Sequence, residues 1–257
     1  MILNRYICVK QKDPKSDQLN GGCWLCEKMI ACHDITFRYP GAEAPLFDRL
    51  DVLIETPGFH ALFGPSGVGK TTLAKIISGG IDAYSGRVKT NGDMPCLYTH
   101  NRERLPGWSP VGRHLERTTP AGRHPLREEL IQRFGLSELM GMRFSQLSMG
   151  QCNRVNLLRY LLQDFGVLIM DESMANVDEP TRHAILYAIK SIFPEAGFLY
   201  ISHNVVEVSR FCDQIVVFRG ADKSPQTLRV GGQNHRENQA LDKGSLERSM
   251  LEIINAA

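Results

Sequence analysis

Short stretches of this chain place charged and small residues where they could act on phosphate. "GPSGVGKT", Gly64 to Thr71, fits G-x-x-x-x-G-K-[ST] at every fixed position. Its glycines let backbone N–H groups converge on phosphate oxygens, and a following helix would add its positive end. Lys70 would neutralise charge on the β- and γ-phosphates, and Thr71 could hold Mg²⁺. Farther on, "VLIMDE" puts four apolar residues ahead of Asp171 and Glu172. An acid emerging from a buried strand end could support the Mg²⁺ shell, and the next carboxylate could orient and deprotonate an attacking water, which favours hydrolysis over transfer to another acceptor. Ser202-His203 closes a second apolar run, where a strand-end histidine facing the same crevice could touch the γ-phosphate or the water. Taken one at a time, a glycine-rich turn, an acidic helix cap and a structural histidine are the plainer alternatives.

These groups meet only if the strands that carry them end side by side. From Ile35 the chain reads as strand, with "ITFRYPG" turning at Pro40-Gly41, and Phe59 to Phe63 reads as a buried strand feeding the glycine loop. A helix is predicted over Thr71 to Ser78, ended by Gly79-Gly80. Residues 90 to 125, rich in Pro, Gly, Arg and His, are predicted to be irregular with short helices. Residues 126 to 163 are predicted to be helical in pieces, broken near Gly135 and again from Gly141 to Ser148. "VLIM" and "FLYIS" read as buried strands separated by a helix at about Thr181 to Phe193. Strands alternating with helices predict an α/β fold, a mostly parallel sheet flanked by helices with ligands at the carboxyl ends of its strands.

Composition narrows the partners. A net charge of +2 gives no broad positive field for a nucleic acid. No apolar run approaches the roughly 20 residues of a membrane span, so work at a membrane would need other chains. Seven cysteines, an odd number in a chain of 257 residues, fit reduced cytosolic thiols better than a disulfide framework. Residues 1–28 form a poorly defined segment without a signal-peptide pattern, and a start at Met29 would leave them outside the native protein. Within them Cys23 and Cys26, followed by Cys32-His33, suggest a zinc or redox site but lack a spaced second pair, so free thiols are the plainer reading.

In their order along the chain, from about Ile35 to Arg219, these elements resemble the ATP-binding subunits of ABC transporters. The elements are Tyr39, the phosphate loop, His100, "LSMGQ" at Leu147 to Gln151, Asp171-Glu172, Ala175 to Asp178 and His203. The resemblance implies a P-loop NTPase of ABC type over 29–220, with an antiparallel β edge, a helical subdomain at about 101–163, and a short tail, 221–257, carrying a helix. It implies that ATP and Mg²⁺ bind through Tyr39, Gly64, Pro65, Ser66, Gly67, Val68, Gly69, Lys70, Thr71 and Thr72. Tyr39 would stack on adenine, with Phe37 the alternative. Thr71, Asp171 and His100 would serve the metal, and Glu172, His203 and Lys70 the reaction. Ser148, Met149, Gly150 and Gln151 would bind the nucleotide of a partner subunit, and Asp178 would couple the two sites.

The chain departs from the pattern at three positions. Met149 replaces a glycine, at a cost of roughly 1 kcal/mol if that backbone needs φ > 0 and little if it is helical. His100 stands for a metal-touching glutamine, which predicts a steeper ATPase pH profile between about 6 and 7.5. Ser173 replaces a proline, with tolerance expected.

The function implied is an ATPase that dimerises around ATP, as a homodimer or with a paired ATPase subunit. It would power separate integral membrane subunits docked around His100 to Arg117, peripherally at the cytoplasmic face of the inner membrane. Small-solute import is the leading expectation, with an external solute-binding protein acting through the membrane subunits and no nucleic acid involved. The short tail resembles the nitrate, sulfonate and taurine uptake group. An exporter or lipid-transport ATPase, a soluble ABC ATPase and a metabolite kinase are the alternatives.

Overall fold

A computed structural model describes residues 29–90, 94–220 and 223–256, so the question of a metal at Cys23 and Cys26 lies outside the described residues. β1 (Ile30–Phe37) and β2 (Phe47–Ile54) pair antiparallel. β3 (Gly58–Phe63) runs through the glycine loop into α1 (Lys70–Ile77), and β4 (Ser85–Thr90) returns to the other side of β1. This gives a three-stranded antiparallel sheet in the order β2-β1-β4. The chain continues through β5 (Cys96–His100), α2 (Val111–Thr118), α3 (His124–Arg133) and α4 (Met149–Leu161). Then come β6 (Val167–Asp171), α5 (Glu179–Ile192), β7 (Gly197–Ile201), α6 (Val205–Phe211), β8 (Gln214–Phe218), β9 (Thr227–Gly231) and α7 (Lys243–Ala256).

The larger sheet has the order β5-β6-β7-β3-β8-β9, parallel throughout except for β9, which lies antiparallel to β8. Its central strands are apolar on both faces because both faces are covered. The alternation is strict. Leu168, Met170, Phe198 and Tyr200 pack with the helices, while Val167, Ile169, Leu199 and Ile201 pack against α1 and the antiparallel sheet. In register, His100 pairs with Asp171, Asp171 with Ile201, and Ile201 with Leu62. The carboxyl ends of β5, β6, β7 and β3 therefore form one row, and the loops that leave them share one crevice.

The region expected to be irregular contains β5, which is half-exposed at the sheet edge. Its run "CLYTH" has too few apolar residues to stand out as a buried strand. Beyond residue 220 the chain adds β9 to the sheet, and α7 inserts the fully buried Ile253 into the helical-face core. Cys32 and Cys212 are buried thiols, and burial pushes Cys32 up to about 12, so it stays protonated and inert. Among the described residues no helix is long and apolar enough to cross a membrane.

Candidate nucleotide site

β3 ends at Phe63, and the backbone then coils through Gly64, Gly67 and Gly69 at φ 143°, 85° and 104°, values that favour glycine. Gly69 is required for a second reason. A Cβ there would lie 2.6 Å from the Phe47 ring. The turn delivers Lys70 as the first residue of α1, with Nζ donating to the carbonyls of Gly64 and Pro65 at 2.7 Å each. Burial lowers the Lys70 pKa, and the charges of Asp171 and Glu172 pull it back up. The loop and the start of α1 wall a cleft of about 330 Å³, whose other walls include Tyr39, Asp171, Glu172 and His203.

The acidic pair sits across this cleft. Thr71 Oγ1 donates to Asp171 Oδ2 at 2.8 Å, and the Tyr98 hydroxyl donates to the same oxygen at 2.7 Å. Burial, followed by the bond to Asp171, pushes the Tyr98 phenol up, so it remains a donor. Glu172 has a left-handed backbone, φ 49°, and its Oε1 lies 2.9 Å from His203 Nε2. Asn101 Nδ2 donates to Glu172 Oε2 at 3.3 Å. Oxygen donors from Thr71 and Asp171, where the glycine loop meets α1, suit a hard cation such as Mg²⁺. At the mouth, Tyr39 is 48% exposed, its hydroxyl 2.6 Å from Thr72 Oγ1, and it packs edge-on against Phe37. Phe37 is buried in the core, which leaves Tyr39 as the ring available to a base.

His100, in register with Asp171, does not line this cleft. Its Nδ1 accepts from the Arg102 backbone N–H at 3.2 Å, its ring lies beside Tyr98, and it lines a different cavity with Leu105, Leu147 and Met149. Parallel pairing of His100 with Asp171 makes the next residue, Asn101, the neighbour of Glu172. Sequence reading missed both Asn101 and Tyr98. Recognising Cys96–His100 as a strand parallel to "VLIMD" would have found Asn101 by register, whereas Tyr98, in register with Ile169, reaches Asp171 only through its long side chain.

The "LSMGQ" segment opens α4. Ser148 is the N-cap, its Oγ accepting from the Gln151 N–H at 3.2 Å while Gln151 Oε1 accepts from the Ser148 N–H at 2.8 Å, a reciprocal capping box. Met149 is the first helical residue and 66% exposed, so replacing glycine there carries no left-handed backbone cost. Gly150 is different, because a Cβ would meet the Asn176 carbonyl oxygen at 2.2 Å. The helix start thus packs directly on the loop from Ala175 to Asp178. Asp178 caps α5 by accepting from the Thr181 N–H at 3.0 Å, and that bonding pulls its carboxyl below the usual range. The buried Ser173 hydroxyl donates to the Thr99 carbonyl at 3.0 Å and so ties the loop after β6 to β5. The structure gathers Tyr39, the glycine loop, Lys70 to Thr72, Asp171, Glu172 and His203 around one cleft and leaves Ser148 to Gln151 and Asp178 outside it.

A family profile described as ABC transporter matches residues 47–175. A molybdenum import ATP-binding protein, ModC, from Saccharophagus degradans is 32% identical over 195 residues, 68% of this chain and 54% of that protein. A zinc import ATP-binding protein, ZnuC, from Paracoccus denitrificans is 30% identical over 207 residues, 78% of this chain and 81% of that protein. The chain spans about half the length of the molybdenum-import relatives it matches. Neither relative named here belongs by name to the nitrate, sulfonate and taurine group. Among solved structures, an ATP-bound bacterial Atm1-family ABC exporter aligns with a TM-score of 0.66 at 18% identity, covering 74% of this chain and 37% of that one. An inward-facing transporter of metal-chelate type aligns with a TM-score of 0.65 at 15% identity, covering 79% and 83%. These two structures share the fold. With the nucleotide cleft and the capped "LSMGQ" helix in place, the profile match and the zinc-import relative establish that this chain belongs to the ABC transporter family as an ATP-binding domain.

Proposed function

We propose that the chain hydrolyses ATP to ADP and phosphate and does so as a pair of ATPase subunits driving membrane partners. The observation that carries this reading is the meeting in one cleft of Lys70, the Thr71–Asp171 pair and the Glu172–His203 pair. Loop N–H groups and Lys70 bind the phosphates, and Tyr39 offers its ring to the base. Thr71 and Asp171 would hold Mg²⁺, which supplies charge neutralisation on the phosphate oxygens. Glu172 orients a water for in-line attack on the γ-phosphorus and takes its proton as the bond to the ADP oxygen breaks. His203, bonded to Glu172, orients that carboxylate and stands within reach of the γ-phosphate side of the cleft.

The capped N-terminus of α4 is a ready anion site that this chain's own cleft does not use, which supports closure over a second subunit's nucleotide. The names of the molybdenum and zinc relatives support import of a small inorganic solute, with membrane subunits and an external solute-binding protein as partners at the cytoplasmic face. The loop bearing Trp108, 81% exposed, is the docking surface we favour for the membrane subunits.

The test is ATP hydrolysis with no added acceptor, alongside nucleotide binding. Glu172→Gln should lower kcat at least about 100-fold with binding kept, and Lys70→Ala should weaken binding itself. Nucleotide binding without hydrolysis in the wild-type protein, alone and with membrane partners, would overturn the reading.

A further inference from the structure

We propose that Glu103 is a positioning residue for the hydrolysis assigned above, on which this inference rests: it pins the loop leaving β5 to α4 and thereby holds Asn101 against Glu172. The loop is poorly held at its business end. The Asn101–Glu172 bond, at 3.3 Å, is longer than a usual N–H···O bond and cannot by itself fix the segment.

Two residues on, the Glu103 carboxylate is gripped by one helix. Oε2 accepts from the Tyr160 hydroxyl at 2.8 Å and from Asn156 Nδ2 at 3.1 Å, and Arg159 Nη1 approaches Oε1 at 3.4 Å. Arg159 also donates to Asn156 Oδ1 at 2.8 Å, and Asn156 Nδ2 shares its donation with Thr99 Oγ1 at 3.2 Å. Asn153, Asn156 and Tyr160, spaced by three and four, present one polar face of α4 to the site's loops. Asn153 on that face donates to the Ala175 carbonyl, in the loop that follows Glu172.

The helix that starts at the "LSMGQ" cap therefore holds both loops from which Asn101 and Glu172 project. A carboxylate with charged and neutral donors, largely shielded from water, is a far stiffer anchor than the single amide contact it supports. With one residue between Asn101 and Glu103, the chain leaves little slack for Asn101 to drift while Glu103 is held.

The test is a set of variants read by steady-state ATPase. Glu103→Ala should lower kcat about tenfold with KM for ATP changed less than about twofold, because misplacement of Asn101 affects turnover and leaves the phosphate loop alone. Glu103→Gln, which keeps an acceptor for Tyr160 and Asn156, should recover to within about threefold of wild type. In an Asn101→Ala background, Glu103→Ala should cost nothing further, since the residue it positions is gone.

An unchanged kcat in Glu103→Ala, or a loss that persists in full in the Asn101→Ala background, would overturn the proposal. Should Glu103→Ala fold poorly, Tyr160→Phe in both backgrounds reads the same coupling, with about a threefold loss expected only when Asn101 is present. A wild-type protein that binds but does not hydrolyse ATP would overturn the proposed function, and this inference with it.

Discussion

At Glu172 two side chains converge from different strands, His203 on Oε1 and Asn101 on Oε2. Substitutions at neighbouring positions should therefore separate cleanly. Asn101→Ala should lower kcat by about tenfold, whereas His100→Gln, which leaves both bonds to Glu172 in place, should stay within about twofold of wild type. Steady-state ATPase measurements on the two variants check this, and equal losses would put His100 back beside the acid. Met149→Gly should change turnover by less than about threefold, because a first-turn helical position gains nothing from left-handed freedom. The phosphate loop, Asp171, Glu172 and His203 were legible in the sequence because each demands a residue type that little else explains: glycines at positive φ, or an acid and a histidine closing apolar strands. Asn101 was illegible because its role comes from strand register, which a half-polar edge strand conceals.

At the scale of elements, the buried strands β3, β6 and β7 announce themselves as apolar runs, and the helix breaks near Gly135 and before Ser148 fall where glycine and capping chemistry put them. β5, α6 and β9 did not stand out, since β5 and β9 lie at the sheet edges and α6 is short, which leaves little periodic signal; β8, an interior strand with the apolar run "IVVF", went unread although its pattern matches that of β6 and β7. The N-terminus of α4 depends on close packing, so Gly150→Ala should lower the thermal midpoint by several degrees as its Cβ forces the Asn176 carbonyl away. An unchanged melting curve would contradict that contact.

α2 carries a pH signature. Burial, then the charges of Arg159 and Arg117, lowers the His114 pKa from 6.5 to about 4, and its ring packs edge-on against Phe144. The folded value lies below the unfolded one, so the unfolded chain binds more protons between them. His114 then contributes stability above 6.5 that is lost as pH falls toward 4. Urea midpoints measured across that range should fall less steeply for His114→Gln than for wild type, and parallel curves would contradict the linkage.

For the molecule as a whole, the mostly parallel six-stranded sheet explains why residues far apart in sequence reach one cleft: four parallel strand ends align, and each contributes the loop that follows it. The alternation of strands and helices made that architecture readable, but the closing of the sheet by β9 and the packing of α7 were not, because they depend on a hairpin and one buried isoleucine. Under the proposed function, each α4 N-terminus would cover the other subunit's phosphates. The most direct measurement is the oligomeric state of Glu172→Gln by sedimentation, with and without saturating Mg-ATP. The expected result is a monomer that becomes a dimer only with the nucleotide, dissociating when Lys70 is also replaced. A monomer at saturating Mg-ATP, with binding demonstrated in the same sample, would contradict the ATP-closed pair.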